Sequence, residues 1–390
     1  MTKTSPQSRE WIERLIAFPT VSRDSNLDLI HCIRDYLAEL GIDSRLVHDE
    51  SGRKANLYAT IGPQDRPGVM LSGHTDVVPV DGQDWTSDPF KVVEREGKLF
   101  GRGTSDMKSF IAIVLAALPR FAGRKLKTPI HLAFSYDEEV GCLGVRRLIA
   151  QFDAMPIRPA FCIVGEPTSM QVVRGHKGKL SCRCHVRGLE SHSALNHLGV
   201  NAVEIAAEMI AYLRRMGRRI RAEGPFDDGF DPPYTTVHTG VVHGGTQLNI
   251  VPRDCRFDFE FRPLPSHDPR PLLAELKAFA ERELLPEMKA VTAQADIRWE
   301  PLSEFSALDT DEDAEVTRFV KSLTGSNSTG KVAFGTEAGL FSQAHIPTVV
   351  CGPGSIEQAH KPDEWITLEQ IARCEAFMGR LLERVSQDGI

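Results

Sequence analysis

A chain of 390 residues exceeds the usual size of one hydrophobic core, and a hydrophobic fraction of 41% is enough to fill two. Lys and Arg number 46 against 53 Asp and Glu, a formal charge of −7, which leaves no basic excess for nucleic acid or an anionic membrane surface. No run approaches the roughly 20 apolar residues of a membrane-spanning helix, and the polar start Met1-Thr-Lys-Thr-Ser-Pro lacks a signal-peptide core, so a cytoplasmic protein with neither a nucleic-acid nor a membrane partner is expected.

Residues 9–18 carry Trp11, Leu15, Ile16 and Phe18 at helical spacing, and residues 27–40 repeat the pattern until Gly41 ends it. Residues 44–47 and 56–61 read as strands, as does the short apolar run 69–71. A helix over 110–118 and strands over 130–136 and 161–164 continue an alternation that argues an α/β fold, a mixed, largely parallel sheet with helices on both faces. From Gly178 the pattern changes. Strand 179–186, helix 200–216, strands 234–243 and 249–262 around Gly244-Gly245, helix 271–284 and strand 291–299 give the order β-α-β-β-α-β, the split βαβ arrangement of a ferredoxin-like α+β domain. Helix 314–323, strand 348–351 and helix 368–385 then return to the first domain. The expected division is 1–177 and 291–390 for one domain, with 178–290 inserted between them.

The eight Cys residues are scattered and read as reduced core residues. In Cys182-Arg-Cys184-His185 the two thiols share one face of a strand and His185 takes the other, so core packing is favoured over a metal half-site. The basic run 214–221 reads as a solvated helix end, and the acidic run 309–313 as an exposed helix start.

Chemistry gathers where apolar runs end. Leu71-Ser-Gly-His-Thr-Asp76 delivers His74 and Asp76 just past a strand, one able to bind a metal and the other to orient the ring. Gly101-Arg-Gly-Thr-Ser-Asp106 holds an Asp in a Gly-rich turn before a helix. Strand 130–136 ends in Asp137-Glu138-Glu139, strand 161–164 in Gly165-Glu166-Pro167, and strand 348–351 in Gly352-Pro-Gly-Ser, with His360 beyond. In open α/β sheets ligands sit outside the carboxyl ends of the strands, so these loops are expected to converge. Three carboxylates and two imidazoles suit a two-metal site for Zn²⁺ or Co²⁺. Asp106 is the candidate bridge. Of adjacent Glu138 and Glu139, one can ligate while its neighbour takes a proton from water.

With the late His, the motifs Ser72-Gly-His-Thr-Asp76-Val-Val-Pro, Gly101-Arg-Gly-Thr-Ser-Asp106-Met-Lys, Asp137-Glu-Glu139-Val-Gly and Gly165-Glu-Pro resemble the metallopeptidase M20 family of co-catalytic zinc hydrolases across essentially the whole chain. That resemblance implies a zinc-peptidase-like catalytic domain carrying an inserted lid and dimerisation domain, two Zn²⁺ per subunit with Co²⁺ able to substitute, and a homodimer. It implies His74 and Glu166 on one zinc, Glu139 and His360 on the other, Asp106 between them, Asp76 orienting His74, and Glu138 as general acid/base. In the inserted domain it implies His192 as donor to the scissile carbonyl oxygen, Asn249 as a substrate contact and Arg262 as the grip on the substrate carboxylate. The tail Gly335-Thr-Glu337-Ala and Gly352-Pro-Gly354-Ser-Ile-Glu-Gln-Ala-His360 narrows the expected reaction to hydrolysis of N²-acetyl-L-ornithine to ornithine and acetate in arginine biosynthesis, with Glu337 and Gly354 as candidate substrate contacts. A helix-start role for Glu337 stays open. The alternatives are succinyl-diaminopimelate desuccinylation or deacylation of another N-acyl amino acid and, from a different class, a non-catalytic metal-binding protein.

Overall fold

A computed structural model describes residues 4–387, so the first three residues of the polar start lie outside the described residues. The chain forms two compact units. One runs to Gly175 and resumes over Leu308–Lys331 and from Thr336 onward; the other comprises His176–Ala307 and Val332–Gly335.

The first unit is built on a nine-stranded sheet in the order Ser44–His48, Ala55–Ile61, Ile130–Ser135, Val69–His74, Phe161–Pro167, Thr348–Gly352, Val172–His176 and Leu308–Asp309, with Thr329–Val332 also paired to Val172–His176. Its four central strands are mutually parallel, while the pairs towards Ser44–His48 are antiparallel. Ile130–Ser135 and Val69–His74 are buried at every position, as strands covered on both faces must be. Alternate residues feed different cores. Val69, Leu71, Ile130, Leu132, Phe134, Phe161 and Ile163 join the main core with the helices Lys108–Ala122 and Leu368–Gln387. The opposite face packs Tyr58 on Phe152 of Val145–Phe152 and Phe152 on Phe341 of Ala338–Gln343. The same alternation puts Met70, Ser72 and His74 on the second face, so hydrophobic patterning aims the last residue of the strand as well as burying the first.

The second unit has a four-stranded antiparallel sheet in the order Thr236–Gly244, Asp254–Arg262, Lys179–Arg187, Asp296–Phe305. Cys255, Phe257, Phe259 and Phe261 alternate inward and pack with Ile205, Met209 and Leu213 of the helix Ala202–Glu223. Cys182 and Cys184 lie in this core, while His185 on the other face approaches Glu300 at 2.8 Å. Two sequence readings shift here. The last strand starts at Asp296, not 291, because a π-turn over Ala280–Leu284 carries the helical path past Pro286 to Val291. That strand pairs with Lys179–Arg187 along its length, so the return to the first unit falls at 307/308 instead of 290/291. No described helix is long and apolar enough to cross a membrane.

Candidate metal centre

His74 ends its strand with Nε2 at 3.0 Å from Asp106 Oδ1 and 3.4 Å from Glu166 Oε1. The other oxygen of Asp106, Oδ2, lies 3.3 Å from His360 Nε2, which is 3.0 Å from Glu139 Oε2. One short carboxylate therefore faces two imidazole–carboxylate pairs, an oxygen towards each. Ligand atoms of His74, Asp106 and Glu139 all lie within 4.8 Å of one another, as do those of His74, Glu138 and Glu166. His74, Asp106 and Glu166 are buried, whereas the His360 side chain is 54% exposed.

Asp76 is placed differently from a simple ring-orienting carboxylate. The His74 Nδ1 contact at 2.9 Å is to the main-chain oxygen of Asp76, and the nearest carboxylate oxygen is 3.6 Å away. The carboxylate accepts the Ser22 hydroxyl at 2.7 Å and the backbone N–H groups of Glu138 at 3.1 Å and Glu139 at 3.3 Å. Asp76 thus holds the imidazole with its backbone and the Glu138-Glu139 turn with its side chain. Lys54 reaches Asp137 of the same turn at 2.5 Å.

Charge is crowded in this space. Burial pushes the Glu138, Glu139 and Glu166 carboxyls above their ordinary range, and repulsion among them and Asp106 adds to it. Burial also works against charge on Asp106, but hydrogen bonds from His360 and His74 outweigh it and hold that carboxyl low. On His74 burial is likewise overcome, by Glu166, Asp106 and Asp76, and the imidazole is raised. Hydrogen bonds to Asp106 and Glu139 raise His360 to about 10. Four carboxyl groups facing two imidazoles in a largely buried space are short of positive charge, and their oxygen and nitrogen donors are those that borderline divalent cations accept. The residues fit a two-cation centre.

Two expected substrate contacts, Glu337 and Gly354, make hydrogen bonds within the protein. Glu337 is 1% exposed, and its oxygens accept the Ser72 hydroxyl at 2.6 Å and the Ser135 hydroxyl at 2.7 Å, which braces two adjacent strands. It also stands at the start of the helix Ala338–Gln343. Gly354 is buried, with its N–H directed to Gln370 Oε1 and its carbonyl accepting from Ser169; its φ of 88° and the 2.5 Å that would separate a Cβ from Ser105 Oγ explain the glycine. In the second unit, the exposed His192 accepts the Ala194 N–H at Nδ1 over 3.1 Å, which leaves Nε2 as the donor of a neutral ring. The Asn249 carbonyl accepts the Ser193 N–H, joining the two loops, and Arg262 uses Nε on Glu260 at 2.9 Å. The sequence reading passed over Ser22, Ser135 and Lys54 and gave Ser72 no role of its own. Nothing local marks them, because each finds its partner through the fold.

A mixed, largely parallel sheet plus a separate antiparallel one is the fold of solved M20 peptidases. The M20 family metallo-carboxypeptidase Sso-CP2 of Sulfolobus solfataricus superposes with a TM-score of 0.77 at 17% identity, over 97% of this chain and 99% of that one. The Bacillus subtilis YXEP protein, named a dinuclear metal binding peptidase from the M20 family, gives 0.63 at 15% identity over 97% and 98%. The family model described as peptidase family M20/M25/M40 matches residues 70–384, and the chain belongs to that family, whose members hydrolyse amides. Curated relatives narrow the likeness: acetylornithine deacetylase of Myxococcus xanthus is 35% identical over 385 residues, covering 97% of this chain and 98% of the relative. The acetylornithine deacetylase of Proteus mirabilis (strain HI4320) is 36% identical over 388 residues, covering 97% and 96%.

Proposed function

We propose that the chain hydrolyses N²-acetyl-L-ornithine to L-ornithine and acetate, in arginine biosynthesis, as a two-cation enzyme of the cytoplasm. The observation that carries hydrolysis is Asp106 shared between the His74 and His360 pairs. Near full-length likeness to acetylornithine deacetylases supports the substrate. Eight thiols, all free, fit a reducing compartment.

His74 and Glu166 would hold one cation, Glu139 and His360 the other, and Asp106 both; Zn²⁺ is the expected ion, with Co²⁺ able to substitute. Bound there, the ions supply Lewis-acid stabilisation of charge that develops on oxygen. Glu138 takes a proton from the attacking water at a carboxylate oxygen and returns it to the departing amine. Its backbone N–H is fixed on Asp76, and the Cys142 thiol donates to its Oε1 at 3.4 Å, so the turn that presents it is held at both ends. His192 Nε2 donates to the carbonyl oxygen as it becomes an oxyanion, Asn249 contacts the substrate and Arg262 binds its carboxylate.

The second unit acts as lid and dimerisation domain in this reading. Its edge strand Thr236–Gly244 exposes Val241 and Val242, and Leu195, Leu198, Leu248 and Ile250 are exposed in nearby loops, an apolar display that a homodimer would cover. Sedimentation showing monomer alone would reject the dimer. The substrate is tested by comparing kcat/KM for N²-acetyl-L-ornithine and N-succinyl-L,L-diaminopimelate in cation-loaded protein. A preference for the acetyl substrate of at least about 10²-fold is expected. The reverse preference would make the protein a desuccinylase, and no turnover of any N-acyl amino acid would leave a metal-binding protein without catalysis.

A further inference from the structure

His360 is the ligand candidate least held by packing. Its side chain is 54% exposed, and its backbone adopts φ 63°, a left-handed conformation uncommon for a residue with a Cβ. Something other than burial has to fix it opposite Asp106.

Four residues on, Glu364 is fully buried. Its carboxylate accepts the backbone N–H groups of Gly103 at 3.1 Å, Ser105 at 2.7 Å and Asp106 at 3.0 Å, and its own carbonyl accepts that of Gly101 at 2.9 Å. The turn that presents Asp106 is thus gathered around one side chain. The same carboxylate binds Arg102 Nη1 at 2.7 Å, with Arg102 1% exposed. Arg102 Nη2 donates to Gln83 Oε1 at 2.6 Å, and the guanidinium lies 5.0 Å from the centre of the Trp85 ring. Gln83 Nε2 donates in turn to the main-chain oxygen of His360 at 2.9 Å. An unbroken path of hydrogen bonds therefore runs from the amide of Asp106 through Glu364, Arg102 and Gln83 to the carbonyl of His360. A second tie lies beside it, since Asp363 Oδ1 accepts the Thr86 N–H and hydroxyl at 3.0 Å.

We propose that Glu364, acting through Arg102 and Gln83, is the positioning residue that sets His360 against Asp106 and so builds the more exposed half of the cation centre. The proposal rests on the two-cation reading of the cluster. Groups that orient metal ligands from behind change affinity by about 10–100-fold when removed; at the Gln83 end of the path the effect falls on the His360 half, because Gln83 bonds the His360 carbonyl directly and reaches Asp106 only through Arg102 and Glu364.

Calorimetric titration of chelator-stripped protein with Co²⁺, together with the visible Co²⁺ absorption at each step, reads the two halves apart; the step lost in His360→Ala identifies the His360 half. Gln83→Ala breaks the path at its half-exposed end and spares the core. It is expected to weaken the His360 step about 10–100-fold and change its absorption, while the other step and the Tm of the stripped protein stay as in wild type. Glu364→Gln places an amide N–H among backbone donors, and because Glu364 also holds the amide of the shared Asp106 it is expected to weaken both steps, the His360 step more. Unchanged affinities in Gln83→Ala, or equal weakening of both steps in that variant, would overturn the positioning role. A wild-type protein that takes up fewer than two ions would refute the two-cation reading, and the proposal with it.

Discussion

His131 lies on the second face of the sheet, its Nδ1 2.9 Å from the Tyr58 hydroxyl and 3.0 Å from the Thr60 hydroxyl. Its Nε2 is buried with no hydrogen-bond partner among the described residues, and burial pushes its pKa down to about 4. The unfolded chain, with an ordinary His near 6.5, binds the proton more readily over the interval between those values. Stability from this residue is therefore complete above pH 6.5 and is lost as pH falls towards 4. Denaturant unfolding at pH 7 and pH 4.5 should show His131→Gln losing about 2–3 kcal/mol less than wild type across that interval; identical losses would show that the residue charges freely in the folded protein. Neither this histidine nor the two roles of Asp76 could be read from the chain. His-x-Asp announced a ligand and its support, but the serine and the two amides on the Asp76 carboxylate come from segments more than 50 residues away. The serine bonds of Glu337 were hidden for the same reason, since its partners sit on strands that only the sheet order brings beside it.

Among the elements, the strand Phe161–Pro167 and the helix Lys108–Ala122 approach at Gly165, where a Cβ would stand 2.1 Å from the Phe110 ring. Only a residue without a side chain lets Glu166 sit so close above the helix. Gly165→Ala should destabilise the fold by about 1–3 kcal/mol through overpacking, seen as a lower denaturant midpoint; an unchanged midpoint would mean that the ring yields at no cost. The motif Gly165-Glu-Pro was legible, yet the reason for its glycine was not, because the ring belongs to another element. The parallel strands were readable as buried apolar runs. Boundaries were harder. The strands placed at 234–243 and 249–262 are Thr236–Gly244 and Asp254–Arg262, with the intervening loop longer than Gly244-Gly245 suggested.

At the scale of the whole molecule, alternating strand and helix followed by a split βαβ pattern foretold a mixed sheet and a separate antiparallel one, and the candidate ligands were named before any distance was known. What local pattern could not supply was the end of the second unit, which depends on the strand Asp296–Phe305 joining Lys179–Arg187. The ties that hold the loops bearing Asp106 and His360 were equally out of reach, since Glu364 and Gln83 contact them across the fold. The central claim is that these loops assemble a two-cation centre that hydrolyses an amide with Glu138 as base. It is tested most directly by titrating stripped wild-type and Glu138→Gln protein with Zn²⁺ side by side while following acetate release from N²-acetyl-L-ornithine. Wild type should be silent without cation and level off at two equivalents per chain, and the variant should bind the same two equivalents yet turn over about 10²–10⁴-fold more slowly. Full activity in the stripped protein, or near-normal turnover by the loaded variant, would contradict it.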